Sequence, residues 1–172
     1  MSKWIFTLIF QAASVLLPAW AADKHELAGH SHGQGQLELV VQGGAVKANF
    51  EIPMESLLGF EHLPKTAAQK KAMADLQAAV TQPDYVLGLP KAAACELKSV
   101  QAQSDMFLGK KSTHSDLDLS IEFTCSQPAE LKQIEFPIFK KHPRLKSLKV
   151  DMLTPKGQGA TTVKTKDPVL RW

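Results

Sequence analysis

The sequence has little of what several common functions require. It contains two cysteines and one tyrosine among 172 residues, and aromatic residues make up only 7% of the chain. The formal net charge is +3, and the lysines and arginines are scattered without interleaved aromatics. Proteins that bind single-stranded nucleic acid usually combine a basic groove with stacking aromatic side chains. We therefore expect no nucleic-acid partner.

Two catalytic signatures are also missing. The chain has no His-Glu-x-x-His zinc-protease motif and no phosphate-binding glycine loop. The remaining Ser, His and Asp residues are too scattered to predict a catalytic dyad. We expect a protein that is not an enzyme.

No hydrophobic run is long enough for a membrane-spanning helix. The longest, from Trp4 to Leu17, has about fourteen residues, whereas a bilayer crossing needs roughly 20. It follows Lys3 and precedes Ala19-Trp20-Ala21, which is the pattern of a secretory signal. We predict a signal peptide over residues 1–21 and an exported, soluble mature protein with no membrane anchor after cleavage.

The two cysteines, Cys95 and Cys125, are expected to form one disulfide, because paired thiols in an exported protein are usually oxidised. If the segments around them form a hairpin that turns near Lys110, the two residues lie opposite each other. The alternatives are buried free thiols or a thiolate metal site. No Cys-x-x-Cys spacing supports the thiolate site.

Alternating apolar and polar residues predict most of the strands. Two such runs flank Gly43-Gly44 and predict a β-hairpin over Gln36–Ile52. The clearest alternation starts at Leu117 and indicates a sheet with one apolar and one solvated face. Further strands are predicted over about Cys95–Phe107, Gln133–Phe139, Ser147–Leu153 and Gln158–Thr165.

One main helix is predicted. Thr66-Ala67-Ala68-Gln69 has the pattern of a capping box at its start, and Pro83 marks its end. We expect an α+β fold with mostly antiparallel sheet and this one helix. A single domain over residues 36–172, stapled by the disulfide, would follow a flexible His-containing segment at 22–35.

Histidines cluster just after the predicted signal. His25, His30 and His32 fall within eight residues, and a neutral imidazole is a common ligand for zinc and copper. Cleavage after Ala22 instead of Ala21 would make His25 the third residue of the mature chain. The N-terminal amine, two backbone amides and the His25 imidazole could then bind Cu(II) in a square plane. The simpler interpretation is that these histidines are only solvated.

Further candidate ligands occur in two later segments. Glu61 and His62 are adjacent in a predicted loop, and His114 and Asp116 are spaced to share one side of a strand. The simpler interpretations are a local hydrogen bond for His62 and a polar hairpin end for His114. His142 lies among Lys140, Lys141 and Arg144, which disfavour a cation, so we do not include it.

These motifs resemble the ZrgA-like family of exported bacterial zinc-binding proteins, and the resemblance covers most of the mature chain. The matching features are the His-Ser-His-Gly run before Gly35, the segments Leu58–Pro64 and Leu89–Cys95, the stretch from His114 through Asp116 to Cys125, Phe139-x-x-x-Pro143, and the turn at Thr154–Gln158.

The resemblance implies a periplasmic accessory protein that binds Zn(II) and assists zinc acquisition beside an envelope zinc transporter or its binding protein. It implies a ligand group of His30, His32, His62 and His114, with Glu61 and Asp116 as carboxylate candidates and His25 as an extra. Many family members carry a long His- and Asp-rich insertion between the two cysteine-bearing strands. Here only Gly109–His114 takes that place, which argues against a high-capacity zinc store.

Two other functions fit the same residues. The chain would be an envelope interaction module if its histidines are incidental and a sheet edge or apolar loop binds another protein. It would be a periplasmic copper carrier if Met54, Met106 and Met152 offer thioether ligands, although core packing explains these methionines more simply.

Overall fold

The computed structural model describes residues 32–112 and 114–172. The predicted signal peptide, His25 and His30 lie outside the described residues. The strands are β1 (Gln34–Gln42), β2 (Ala45–Pro53), β3 (Cys95–Gln103), β4 (Asp116–Cys125), β5 (Gln133–Glu135), β6 (Ser147–Thr154), β7 (Gly157–Lys164) and β8 (Val169–Arg171). The helices are α1 (Met54–Leu58), α2 (Ala67–Ala79), α3 (Pro83–Val86) and α4 (Ile138–Lys141), with 3₁₀ turns at Lys91–Ala93 and Pro128–Glu130.

A six-stranded sheet forms the centre of the fold, with the order β3-β4-β2-β1-β6-β7. Strands β1 and β6 run parallel, and the other neighbours in this sheet are antiparallel. A separate two-stranded sheet pairs β5 with β8. The central sheet is therefore mixed.

The predicted α+β class is wrong. Strands account for 44% of the described residues and helices for 23%, so the fold is mostly β with several small helices. Apart from α2, the α-helices have only four or five residues. A six-stranded sheet provides most of the surface on which apolar side chains are buried, whereas short helices only cover it.

The predicted hairpin around Gly43-Gly44 is confirmed. Strands β1 and β2 pair from Gln36 opposite Glu51 to Gln42 opposite Ala45. Gly44 has a φ of +86°, and a Cβ there would lie 2.7 Å from the Cys125 carbonyl oxygen. Only glycine combines this left-handed conformation with so close an approach of the next strand.

Burial alternates along the central strands, as the sequence pattern predicts. In β1, Leu37, Leu39 and Val41 are buried, whereas Glu38 is exposed. In β4, the apolar residues that begin at Leu117 are buried in the same alternating way. One face of the sheet thus packs into the core and the other carries polar side chains.

The disulfide between Cys95 and Cys125 is present, and the two residues are direct partners in the β3–β4 ladder. Strand β3 lies at the edge of the sheet and has a bulge between Leu97 and Ser99. The bond ties this edge strand to β4.

The start of α2 is confirmed as a capping box. The Thr66 side chain accepts a hydrogen bond from the Gln69 backbone N–H, and the Gln69 side chain accepts one from the Thr66 backbone N–H. The helix ends at Ala79, before Pro83. Leu76 is its only fully buried residue, so α2 contributes little to the core.

The predicted strand over Gln133–Phe139 is only half right. Strand β5 stops at Glu135, and Pro137 is the N-cap residue of α4. Proline lacks the N–H that a continuing ladder needs and has a fixed φ suited to a helix start. The apolar residues Ile138 and Phe139 are therefore buried from a helical turn.

Candidate metal centre

Two segments that carry predicted ligands meet helix α1 at one end of the central sheet. The Gly33 backbone N–H, next to His32, donates to the buried Ser56 hydroxyl at 3.0 Å. The Met54 backbone N–H donates to the Ser115 carbonyl oxygen at 2.9 Å, beside His114. The start of β1, helix α1 and the start of β4 are thus joined by hydrogen bonds, although they are distant in sequence.

Two predicted ligands from different segments form a pair here. The Nδ1 atom of His114 lies 3.7 Å from Oε2 of Glu61. The His114 side chain is 63% exposed and that of Glu61 is 30% exposed, so an ion can reach both from solvent. Glu61 reaches this position because Gly59, with a φ of +82°, ends α1 and turns the chain into the loop that follows.

A second pair joins one predicted ligand to a residue that the sequence did not point to. The Nδ1 atom of His32 lies 3.5 Å from Oε2 of Glu55 in α1. The other carboxylate oxygen of Glu55, Oε1, lies 3.4 Å from Nη1 of Arg144. No sequence signal identifies Glu55, because its contacts come from residues far away along the chain.

His62 lies in the same loop as Glu61 and is exposed. Its Nδ1 is 2.9 Å from the Leu63 carbonyl oxygen, and its ring centroid is 5.4 Å from that of Phe60. A carbonyl can only accept, so Nδ1 carries the proton and Nε2 is the atom with the lone pair. The local hydrogen bond therefore occurs and is compatible with metal binding through Nε2.

Asp116 begins β4, opposite Pro53, and is half-buried. Among residues 32–112 and 114–172, no three His, Cys, Asp or Glu side chains are grouped closely enough to hold one metal ion. Of the predicted ligands that the structure describes, His114 and Glu61 are brought together as a pair, whereas His32 pairs with Glu55, and His62 and Asp116 belong to neither pair. The assignment of His30, His32, His62, His114, Glu61 and Asp116 as ligands stays a prediction.

His142 has a structural position. Its Nδ1 is 2.8 Å from the Leu57 carbonyl oxygen and its Nε2 is 2.7 Å from the Tyr85 hydroxyl. Burial lowers the pKa of His142, the bond to Leu57 raises it in part, and the charge of Lys141 lowers it. Because both ring nitrogens have protein partners, His142 is not a metal ligand in this arrangement.

The methionines that would favour copper are mostly in the core. Met54 and Met106 are 0% and 1% exposed, and Met152 packs against the core while partly buried. Buried thioethers are unavailable to a metal that arrives from solvent. The three methionines therefore match the simpler interpretation, in which they fill space between other apolar side chains.

The sequence contains one segment that matches the pattern of a catalytic motif. Residues 29–33 read Gly-His-Ser-His-Gly, which fits the Gly-x-Ser-x-Gly pattern of a nucleophile elbow. That elbow places its serine on a turn from a strand into a helix. Here the motif leads into strand β1, which starts at Gln34, so the required helix does not follow.

Within the part of the chain that the structure describes, no helix has the length and apolar character needed to cross a bilayer.

No curated protein matches the chain at a significant level. A family model described as "ZrgA family zinc uptake protein" matches residues 29–172. This match includes both His–Glu pairs and the two disulfide cysteines, and the chain therefore belongs to the ZrgA family of zinc uptake proteins.

Proposed function

We propose that this protein is a periplasmic zinc-binding accessory protein that captures Zn(II) through histidines and hands it to an envelope zinc transporter or its binding protein. Family membership supports the link to zinc. The disulfide supports an oxidising compartment, because such bonds persist outside the cytoplasm. The role is that of a binding protein without catalysis.

The contact between His114 and Glu61 is the observation that carries this proposal. Both residues were predicted as ligands from separate segments, and the fold places Nδ1 of one 3.7 Å from Oε2 of the other. Zinc accepts nitrogen and carboxylate oxygen ligands in a tetrahedral arrangement. His62 and Asp116 lie in the same two segments and are the nearest candidates by sequence to complete the coordination.

Reversible binding follows from the ligand type. Imidazole must be neutral to donate to zinc, so protons compete with the metal as the pH falls. The pairs are also exposed at the end of the sheet, where a partner can approach them. Zinc carried at such a site is accessible for transfer to a protein with a stronger site.

The proposal is tested by titrating the mature protein with Zn(II) against a competing chromophoric chelator. We expect stoichiometric, submicromolar binding in the wild type and a loss of roughly tenfold or more in His114→Ala and in Glu61→Gln. A His30→Ala, His32→Ala double variant tests the histidines next to β1 in the same assay.

Glu38→Gln is a matched control for Glu61→Gln. Glu38 is exposed in β1, four residues after the strand starts at Gln34, which corresponds to roughly 13 Å along the strand. Its loss should leave the zinc affinity unchanged. Absence of zinc binding in the wild type, or equal binding by all variants, would contradict the proposal.

An envelope interaction module remains the second candidate, favoured by one observation. Strand β7 lies at the edge of the six-stranded sheet, and all of its residues except Val163 are exposed. An exposed edge offers unpaired backbone groups to a strand from a partner. Function that survives loss of both His30 and His32 would favour this candidate over zinc binding.

A further inference from the structure

We propose that Glu55 is an additional metal ligand that binds the same ion as His32. This inference rests on the proposed zinc-binding function and names a residue outside the predicted ligand group. Four features support it: the spacing of the two side chains, the hydrogen bonds that hold His32 above α1, the partner of the second carboxylate oxygen, and the exposure of the imidazole.

The spacing matches two ligands of one zinc ion. Zinc lies about 2.0–2.1 Å from nitrogen and oxygen ligands, so two ligand atoms in a tetrahedron are roughly 3.3–3.4 Å apart. Nδ1 of His32 and Oε2 of Glu55 are 3.5 Å apart. An ion can enter between them with only a small adjustment of either side chain.

The backbone next to His32 is held on two sides. The Gly33 N–H donates to Ser56 Oγ in α1, and the Gly33 carbonyl oxygen accepts from the N–H of Lys146 at 2.7 Å. Ser56 is itself completely buried, next to Glu55 in the chain. These bonds place the His32 backbone over the first turn of α1, where Glu55 is located.

The Glu55 carboxylate is oriented from its other side by Arg144. Nη1 of Arg144 is 3.4 Å from Oε1, which leaves Oε2 to face His32. A Cβ on residue 59 would lie 3.0 Å from Nε of Arg144, so glycine there gives the guanidinium room to lie against the loop. Carboxylates that bind metals are commonly held in this way by a hydrogen-bonding partner. The Arg144 charge, which by itself disfavours a cation, is paired here with the Glu55 carboxylate.

Exposure separates this pair from a simple structural contact. The Glu55 side chain is 23% exposed and that of His32 is 68% exposed. The imidazole is therefore accessible to an ion that arrives from solvent. An exposed His–Glu contact contributes little to stability by itself.

The test is a double-mutant cycle on the mature protein, with Zn(II) as the probe and a chromophoric chelator as competitor. The variants are Glu55→Gln, His32→Ala and the two together, with Glu38→Gln as the matched control. We expect Glu55→Gln to weaken zinc binding by roughly tenfold or more. The double variant should be little weaker than His32→Ala alone, because two ligands of one ion act together.

Glu55→Asp keeps the charge and serves as a second variant, and it should retain more affinity than Glu55→Gln. Thermal unfolding of every variant without metal shows whether each one folds. If Glu55→Gln binds zinc like the wild type while His32→Ala or His114→Ala binds weakly, only this inference is overturned. If the effects of Glu55→Gln and His32→Ala add fully, it is also overturned. If the wild type binds no zinc, both this inference and the proposed function fail.

Discussion

At the scale of single residues, His142 shows how one buried side chain joins several short helices. Its ring connects the Leu57 carbonyl of α1 with the Tyr85 hydroxyl of α3, and the residue itself follows α4. The Leu57 carbonyl can only accept, so Nδ1 donates and Nε2 accepts from Tyr85. Burial lowers the pKa of His142, so the folded protein favours this neutral form even though the bond to Leu57 acts in the opposite direction.

Among the charged groups near His142, Lys141 supports the same conclusion. Lys141 lies with its Nζ 4.8 Å from the centre of the Tyr85 ring, and it adds a like charge that opposes protonation. Asp75 of α2 lines the same cavity of about 360 Å³, which also borders Tyr85 and His142. Burial is the main reason why the pKa of His142 is lowered.

This lowered pKa predicts a loss of stability in mild acid. Because the unfolded chain protonates His142 near its ordinary pKa while the folded protein resists, the unfolded state binds more protons and stability rises with pH. The contribution is complete above about pH 6.5 and decreases as the pH falls from there toward the lower folded pKa. The free energy of unfolding from urea titrations between about pH 7.5 and about pH 5, with a chelator present, measures it.

His142→Gln is the control for this prediction, since an amide can donate to Leu57 and accept from Tyr85 but does not titrate. We expect it to cost about 1–3 kcal/mol at neutral pH through imperfect hydrogen bonds. Its stability should depend less on pH than that of the wild type over the same range. An identical pH dependence in both proteins would show that another group is responsible.

At the scale of secondary-structure elements, the β3–β4 pair depends on a covalent bond as well as on packing. Strand β3 is an edge strand with no fully buried residue, whereas β4 is buried between β3 and β2. The disulfide closes the segment between Cys95 and Cys125, a separation of 30 residues. Its main effect is to restrict the unfolded chain.

Removing this bond with Cys95→Ser and Cys125→Ser together should lower the free energy of unfolding by roughly 3–4 kcal/mol, as expected for a loop of this length. The measurement is chemical denaturation of the double variant beside the oxidised wild type. The reduced wild type is a second control, because it lacks the bond but keeps both side chains. A change below about 1 kcal/mol would mean that the unfolded chain is already restricted in this segment.

Elements with local signals were predictable, and those that depend on distant partners were less so. The Gly43-Gly44 hairpin and the Thr66 capping box depend on residues within a few positions of each other, and both are confirmed. The parallel pairing of β1 with β6 was not predicted, since Gln34 and Ser147 are far apart in the sequence. Alternation shows which face of a strand is buried but does not identify its neighbour.

At the scale of the whole molecule, zinc binding should stabilise the fold, because the candidate site joins the starts of β1 and β4 to α1 and the loop after it. A ligand that binds only the folded state adds about 2.7 kcal/mol at a free concentration of about one hundred times its Kd. We expect zinc to raise the thermal unfolding midpoint of the wild type. The same zinc concentration should have little effect on a His32→Ala, His114→Ala double variant.

The same shift should disappear at about pH 5.5, where protons displace zinc from imidazole. Differential scanning fluorimetry at neutral pH and at about pH 5.5 measures the shift of the midpoint. Glu38→Gln is the control that should keep the shift at neutral pH. An equal rise of the midpoint in the double variant would assign the stabilising ion to other residues.

The candidate site was predictable in its residue types but not in its pairs. The sequence alone indicated His32, His114 and Glu61, because histidines near carboxylates are typical of metal sites. Glu55 and Arg144 gave no signal for a metal site, since Glu55 contacts His32 across 23 positions in the chain and Arg144 across 89. Only the folded backbone brings such residues within a few ångströms of each other.

The strand alternation, the turn and cap residues, the cysteine pair and the family to which the chain belongs could all be predicted without a structure. These features depend on local backbone preferences or on residue identity, which can be read directly from the chain. The mostly β fold with its mixed sheet, and the contacts of His32 with Glu55 and of His114 with Glu61, emerge only once the chain is folded. Contacts of this kind depend on how the whole apolar core packs, because many pairings satisfy the same local pattern and only one buries all the apolar faces together.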